Sequence, residues 1–230
     1  MPRSAEDRKQ KLLADFRRSE ILAAASKVFA TKGFESTRME DIAKAARLAK
    51  GTLYLYFDSK DLIYQATVQQ AVDKLAALTA EHVNHESTFP AKLAAFISVR
   101  IAFWQEQQQL YRIILTINRQ GQHRKRSFAW QREAVQYLES IFESAAKAGE
   151  IPQQDFLAAA WTTMDAIRGV NERRAFAEGR GTEDDTQFLA NFLLSALHAG
   201  AVPASEPTPA KTKSARSLSP NPKALQSPKG

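Results

Sequence analysis

Apolar residues recur three and four positions apart along the chain up to about residue 200, and that spacing restricts it to helices. Strand-like alternation is almost absent, and Ala, Leu, Gln, Glu, Lys and Arg dominate. Ile21, Ala25, Val28 and Phe29 form one stripe, closed by Lys32-Gly33 with the residue type that tolerates a left-handed conformation just past a helix. Thr37 with Glu40 three residues later reads as a capping box, in which hydroxyl and carboxylate satisfy unpaired backbone N–H groups. It predicts a short helix to Ala46, then another from Lys50 to Phe57. Asp58-Ser59, with Asp61 in the first turn, opens a long helix to about His82. Past Thr88-Phe89-Pro90, helices are predicted at about 90–107, 109–117, 127–148, 154–177 and 184–199. Gly121, Gly149 ahead of Pro152, Gly179 and Gly181 mark their junctions. The fold class is all-α.

Charge is distributed unevenly. Residues 1–60 carry a net +5, residues 61–202 a net −2 and residues 203–230 a net +4. A basic head on a nearly neutral body suits a polyanion partner. With no cysteine, disulfides, thiol catalysis and cysteine-ligated metal are excluded. Met1–Arg18 is charged throughout, unlike a secretory signal, and no window approaches the roughly 20 apolar residues of a membrane span. No membrane association and a cytoplasmic location are therefore expected. From Pro203 the chain is Pro, Ser, Ala and Lys with two leucines, which reads as a disordered basic tail over 203–230.

The informative segment is ESTRMEDIAKAARLAKGTLYLYFDSK, Glu35 to Lys60. Two short helices separated by about four residues cannot each bury a face alone, and the stripe before Gly33 supplies a third helix. Ile42 and Ala43 face inward on the first, Leu48, Leu53 and Phe57 around the second, and Ala45 and Ala46 permit close crossing. This is the construction of a helix-turn-helix, here about residues 40–59, whose second helix enters a major groove. Its outward side carries Lys50, Gly51, Thr52, Tyr54 and Tyr56. Lys50 and Thr52 suit base edges or phosphate, Gly51 lets the backbone come close, and tyrosine hydroxyls and Lys60 suit phosphate oxygens.

The runs Ile21-Leu22-x-Ala24-Ala25-x-x-x-Phe29-Ala30-x-x-Gly33-Phe34-x-x-Thr37, Ile42-Ala43-x-Ala45-Ala46 and Lys50-Gly51-Thr52-Leu53-Tyr54-x-Tyr56-Phe57-x-Ser59-Lys60 resemble the TetR family of bacterial transcriptional regulators. The resemblance implies a three-helix DNA-binding domain at 17–77 behind a basic arm at 1–16, and a ligand-binding and dimerisation domain at 78–202. It implies a homodimer bound to a double-stranded DNA operator, usually as a repressor released by a small molecule. Residue by residue, it places DNA contacts on Thr37, Lys50, Gly51, Thr52, Tyr54, Tyr56 and Lys60. The chain departs from the pattern at Arg47, where the turn usually has Gly, and at Ala49, where the helix cap is usually Ser. Arg47 then becomes a further phosphate candidate.

An effector pocket is expected among Phe103, Tyr111, Tyr137, Trp161 and Met164, with Arg112, Asn118 or Arg168 as polar anchors, although the same aromatics also serve as plain core. The near-neutral body suggests a mainly apolar ligand. Phe156, Ala160, Met164 and Ile167 form one apolar stripe, and Phe188, Phe192, Leu193 and Leu197 another, from which a dimer interface is expected. His82 and His85 lack a third ligand nearby, and Arg124-Lys125-Arg126 reads as an exposed loop. No convergent catalytic group, cofactor motif or metal site stands out. Two alternatives stay open: a DNA-binding regulator without a small-molecule effector, and a ligand-binding or catalytic protein that does not use its helix-turn-helix.

Overall fold

The computed structural model describes residues 5–117, 121–176 and 181–199; the first four residues of the basic arm, Asn118, the side chains of 124–126, Gly179 and the tail at 203–230 lie outside the described residues. The chain divides into units at Met1–Gly200 and Ala201–Gly230, and everything below concerns the first. Its described residues form α1 (Ala5–Lys32), α2 (Met39–Ala45), α3 (Lys50–Tyr54), α4 (Lys60–Asn84), α5 (Phe89–Glu106), α6 (Gln108–Ile117), α7 (Gly121–Lys147), α8 (Phe156–Phe176) and α9 (Thr182–Ala199).

Helix ends follow local chemistry. Gly33 ends α1 at φ +77°, the Ser59 hydroxyl accepts from Leu62 N at 3.3 Å to open α4, and Thr88 does the same for Ala91 N at 3.4 Å ahead of α5. Three expectations shift. First, α1 begins at Ala5, so the basic arm is helical from there and holds Leu12, Leu13 and Phe16 exposed. Second, the capping box at the start of α2 lies one residue later than Thr37 and Glu40. The N-cap is Arg38, and the Asp41 carboxylate accepts from Arg38 N at 3.0 Å, while the Thr37 hydroxyl donates backward to Gly33 O at 2.6 Å. Third, α7 starts at Gly121, which makes the Arg124-Lys125-Arg126 run helical rather than a loop.

Two apolar clusters organise the unit. One joins α1 (Ile21, Phe29), α2 (Ile42), α3 (Leu53) and α4 (Ile63, Val68), and extends into α6 through Leu110, Ile113, Ile114 and Ile117. The other surrounds α5 (Phe96, Ile97, Ile101) with α7 (Leu138, Phe142), α8 and α9. The long α4 runs unbroken across residues 77 and 78, contributes to the first cluster at its start and packs along α5. Cation–π contact of Arg18 with the Phe57 ring at 4.3 Å, and its bond to Tyr56 O at 3.0 Å, tie α1 to the segment between α3 and α4.

Candidate nucleic-acid interface

The turn between α2 and α3 closes by two backbone bonds, Leu48 N to Ala43 O at 2.8 Å and Arg47 N to Lys44 O at 3.1 Å. This Schellman pattern satisfies the last carbonyls of α2 and demands a left-handed residue at its end. Arg47 is that residue, at φ +56°, a conformation that is unfavourable for a side-chain-bearing residue by roughly 1–2 kcal/mol. The same pair of bonds closes α7, where Gly149 supplies the positive φ. Arg47 is exposed, so its side chain is free to extend beside α3. Ala49 caps α3 with an extended backbone and no side-chain bond.

α3 is shorter than the predicted Lys50–Phe57. It ends at Tyr54, after which Leu55 N and Tyr56 N bond three residues back, to Thr52 O (3.2 Å) and Leu53 O (3.0 Å). Leu53 is fully buried and anchors the helix, which turns Lys50, Gly51 and Tyr54 to the exposed side. A methyl group on Gly51 would meet no atom within 4 Å, so the protein's own packing does not require glycine there. Thr52 and Tyr56 are half-buried at the margin. Leu55, which residue patterning does not single out, is 83% exposed beside Tyr54. A leucine in a run of otherwise patterned helix residues gives no signal of exposure until the end of the helix is known.

Electrostatic partners separate the remaining candidates. Lys50 is ion-paired with Glu40 of α2, and that hydrogen bond is the main reason the Glu40 carboxyl lies below its usual range and the Lys50 ammonium above its own. Lys60 lies 4.6 Å above the Phe34 ring and donates to Phe34 O (2.9 Å) and Glu35 O (3.0 Å), so two of its three donors hold the loop after α1. Thr37 does not reach the exposed face: it is 2% exposed and its hydroxyl bonds Gly33 O. The structure therefore brings together Arg47, Lys50, Gly51, Tyr54 and Leu55 as one surface, with Thr52 and Tyr56 flanking it and Thr37 and Lys60 supporting it from within.

Behind this head lies a cavity of about 360 Å³ with walls from α4, α5, α6, α7 and α8. Of the five residues expected at an effector pocket, Tyr111, Tyr137 and Met164 line this cavity. Two of the expected lining residues lie elsewhere. Phe103 is buried against Trp104 (ring centroids 5.2 Å), and it is Trp104, one residue or about 100° further round α5, that lines the cavity. Trp161 packs against the body core and near Phe128 at 6.3 Å. Of the expected anchors, Arg168 is exposed and lines the cavity, paired with Asp165 at 2.9 Å. Arg112 instead donates to Ala175 O at 2.7 Å, tying α6 to α8. Two buried polar residues line it, Thr79 and the charged Arg100, which is 4% exposed. Its signal in the sequence was a charge on an otherwise apolar helical stripe with Leu93, Phe96 and Ile97.

The dimer expectation divides in two. Phe156, Ala160 and Ile167 are buried in the protomer's own core, and Ile167 also lines the cavity, so that stripe faces inward. Leu193 and Leu197 are buried likewise. Phe188 and Phe192 are 60% and 62% exposed and stack on each other at 6.3 Å along one side of α9.

Residues 21–67 match the family model described as bacterial regulatory proteins, tetR family. Over 113 residues the chain is 32% identical to the HTH-type transcriptional activator FasR of Mycolicibacterium smegmatis, covering 49% of this chain and 52% of FasR. Over 58 residues it is 38% identical to IcaR of Staphylococcus aureus, the HTH-type negative transcriptional regulator of the biofilm operon icaADBC, covering 25% of this chain and 31% of IcaR. The chain thus spans about half of FasR and under a third of IcaR. The solved structure of the TetR-family regulator PfmR from Thermus thermophilus superposes with a TM-score of 0.63 at 21% identity, covering 76% of this chain and 97% of PfmR. That similarity is one of fold.

Proposed function

The chain belongs to the TetR family of bacterial helix-turn-helix transcriptional regulators, and from that premise we propose that it is a homodimeric, sequence-specific repressor released from its operator by a small molecule. The observation that carries this reading is the sharing of walls between cavity and head. Val68 and Ile114 line the cavity and also belong to the apolar cluster that seats α2 and α3. A ligand that moves α4 or α6 displaces the platform on which the recognition surface rests. Two heads held at one operator tolerate little such displacement, because their recognition helices must fit half-sites roughly 34–36 Å apart.

On this reading α3 lies in the major groove. Gly51 permits close approach, Tyr54, Tyr56 and Arg47 reach backbone phosphates, Thr52 reads a base edge, and Leu55 packs on a thymine methyl. Phe188 and Phe192 of α9 form the centre of the dimer contact, since paired exposed aromatics of this size favour burial. Selection from a random duplex library tests the DNA reading, and an enriched pseudo-palindrome is expected. Transcription in vitro on a template carrying that site should fall when protein is added; a rise overturns the repressor assignment in favour of activation. No enrichment at moderate salt overturns the DNA assignment itself.

A further inference from the structure

Among the described residues, Arg100 has no carboxylate partner within ion-pairing distance, although only 4% of it is exposed. Its guanidinium donates one hydrogen bond, to the Thr79 hydroxyl of α4 at 2.6 Å, and lies 3.8 Å over the Phe96 ring. The Thr79 hydroxyl spends its own proton on Leu75 O at 2.7 Å, which orients its lone pairs toward Arg100. One bond and one aromatic face leave most of the five guanidinium donors to whatever fills the cavity that Arg100 lines. Burial pulls the Arg100 pKa down to about 9, still well above neutrality, so the group is a cation at pH 7.

An unpaired buried cation is costly for a fold to maintain, and an anion in the same site offsets that cost. The rest of the wall is mostly apolar, with Val72, Leu75, Trp104, Ile114 and Met164. Tyr137 also lines the cavity and lies near enough to Arg100 for the cation to oppose the upward shift that burial gives its hydroxyl. The other charged liners, Glu133 and Arg168, are exposed, and Arg168 already has Asp165. At roughly 30 Å³ for a water-sized group, the cavity holds on the order of a dozen non-hydrogen atoms.

We propose that the cavity takes an amphipathic organic anion, a carboxylate on an unbranched or compact apolar body, with Arg100 clamping the carboxylate and Tyr137 as its second donor. This rests on the ligand-responsive reading above and names the chemical class of the effector. It also says how the signal begins: a carboxylate that draws the guanidinium off Thr79 breaks a polar bond that ties α5 to α4.

The test uses the full chain and three probes of one chain length, decanoate, decan-1-ol and decylamine, in calorimetric titration. Decanoate is expected to bind at least tenfold more tightly than decan-1-ol, and decylamine not at all. R100M should lose the preference for decanoate and retain decan-1-ol binding, with thermal unfolding at or above that of the parent; R100K should keep part of the preference. Equal binding of acid and alcohol, an R100M preference equal to the parent's, or no decanoate binding at millimolar concentration overturns the proposal. Operator release, measured separately by fluorescence anisotropy, tests the other reading: decanoate that binds through Arg100 without releasing DNA sinks the effector role and leaves the anion site standing. Conversely, release by the alcohol alone sinks the anion site and leaves the effector role intact.

Discussion

Lys50, the cation at the start of the recognition helix, is ion-paired with Glu40 of the preceding helix, so the exposed face of the head carries its own competitor for phosphate. Both side chains are more than half exposed, and such pairs add little to stability. Their effect should appear in DNA binding. Glu40→Gln is expected to strengthen binding to non-specific duplex several-fold at low salt. Lys50→Ala should weaken it and lower the slope of log K against log[salt] by about 1. The Glu40 carboxyl is held below its usual range by Lys50, so the pair is present above the ordinary carboxylate pKa and is lost only as pH falls through the lowered one. The Glu40→Gln effect should accordingly stay flat between about pH 6 and about pH 8. An anisotropy titration across salt and pH checks all three.

Gly51 separates a DNA requirement from a folding requirement. With open space around its missing side chain, Gly51→Ala should stabilise the protein by about 0.5–1 kcal/mol through helix propensity. If the backbone closely approaches a base edge, the same substitution should weaken operator binding at least tenfold. Thermal unfolding and a gel shift on one preparation read the two effects independently, and unchanged affinity would count against close approach.

The turn is improvable. Arg47→Gly removes a side chain from a left-handed position and should raise stability by roughly 1 kcal/mol. Ala49→Ser supplies the missing hydroxyl at the α3 cap and should add about 0.5–1 kcal/mol. If Arg47 touches phosphate, the first substitution should cost operator affinity while the second does not. Denaturant midpoints paired with binding isotherms distinguish these outcomes.

For assembly, the exposed Phe188 and Phe192 pair is the place to intervene. Phe188→Glu with Phe192→Glu should yield a folded monomer with much weaker operator binding, seen by sedimentation and by an unchanged far-ultraviolet dichroism spectrum. Ile167→Glu should instead unfold the body, since that residue is 3% exposed within its own protomer. A dimer that survives the double substitution would place the interface elsewhere.

The Arg174–Asp185 pair joins α8 to α9 with both side chains largely buried, at 2.8 Å, and Arg174 also donates to Thr182 at 2.7 Å. Asp185→Ala removes the carboxylate from a mostly buried guanidinium that keeps its bonds to Thr182 and Gln105, and should destabilise by roughly 2 kcal/mol. Arg174→Met combined with Asp185→Leu should recover most of that loss. Urea midpoints of the three proteins check it.

Much of the head could be read directly from residue spacing. Gly33 after the Ile21–Phe29 stripe, the two short helices, the Ser59 cap and the inward Ile42, Leu53 and Phe57 all depend on neighbours within one or two helical turns. Periodicity in that range is set by the backbone itself. The left-handed position at Arg47 is equally local, spanning only Ala43 to Leu48, but its signal was the family resemblance, which expects Gly there, and not the spacing.

Tertiary structure decided how those candidates divide between surface and support. Thr37 looked like a cap and a phosphate ligand, yet its hydroxyl is spent on Gly33 O and its side chain is buried. Lys60 looked free and reaches 26 residues back to Phe34 O. The stripe of Phe156, Ala160 and Ile167 was recognisably apolar, but periodicity says that a face is buried and not against which partner, and here the partner is the protomer's own core. Arg100 became a binding residue only when α4, α5 and α7 enclosed it beside Thr79 and Tyr137, 21 and 37 residues away in sequence. Local spacing therefore determined the helix-turn-helix itself. Packing across distant helices determined which of its charges are already spoken for and where an unpaired one was left facing a cavity.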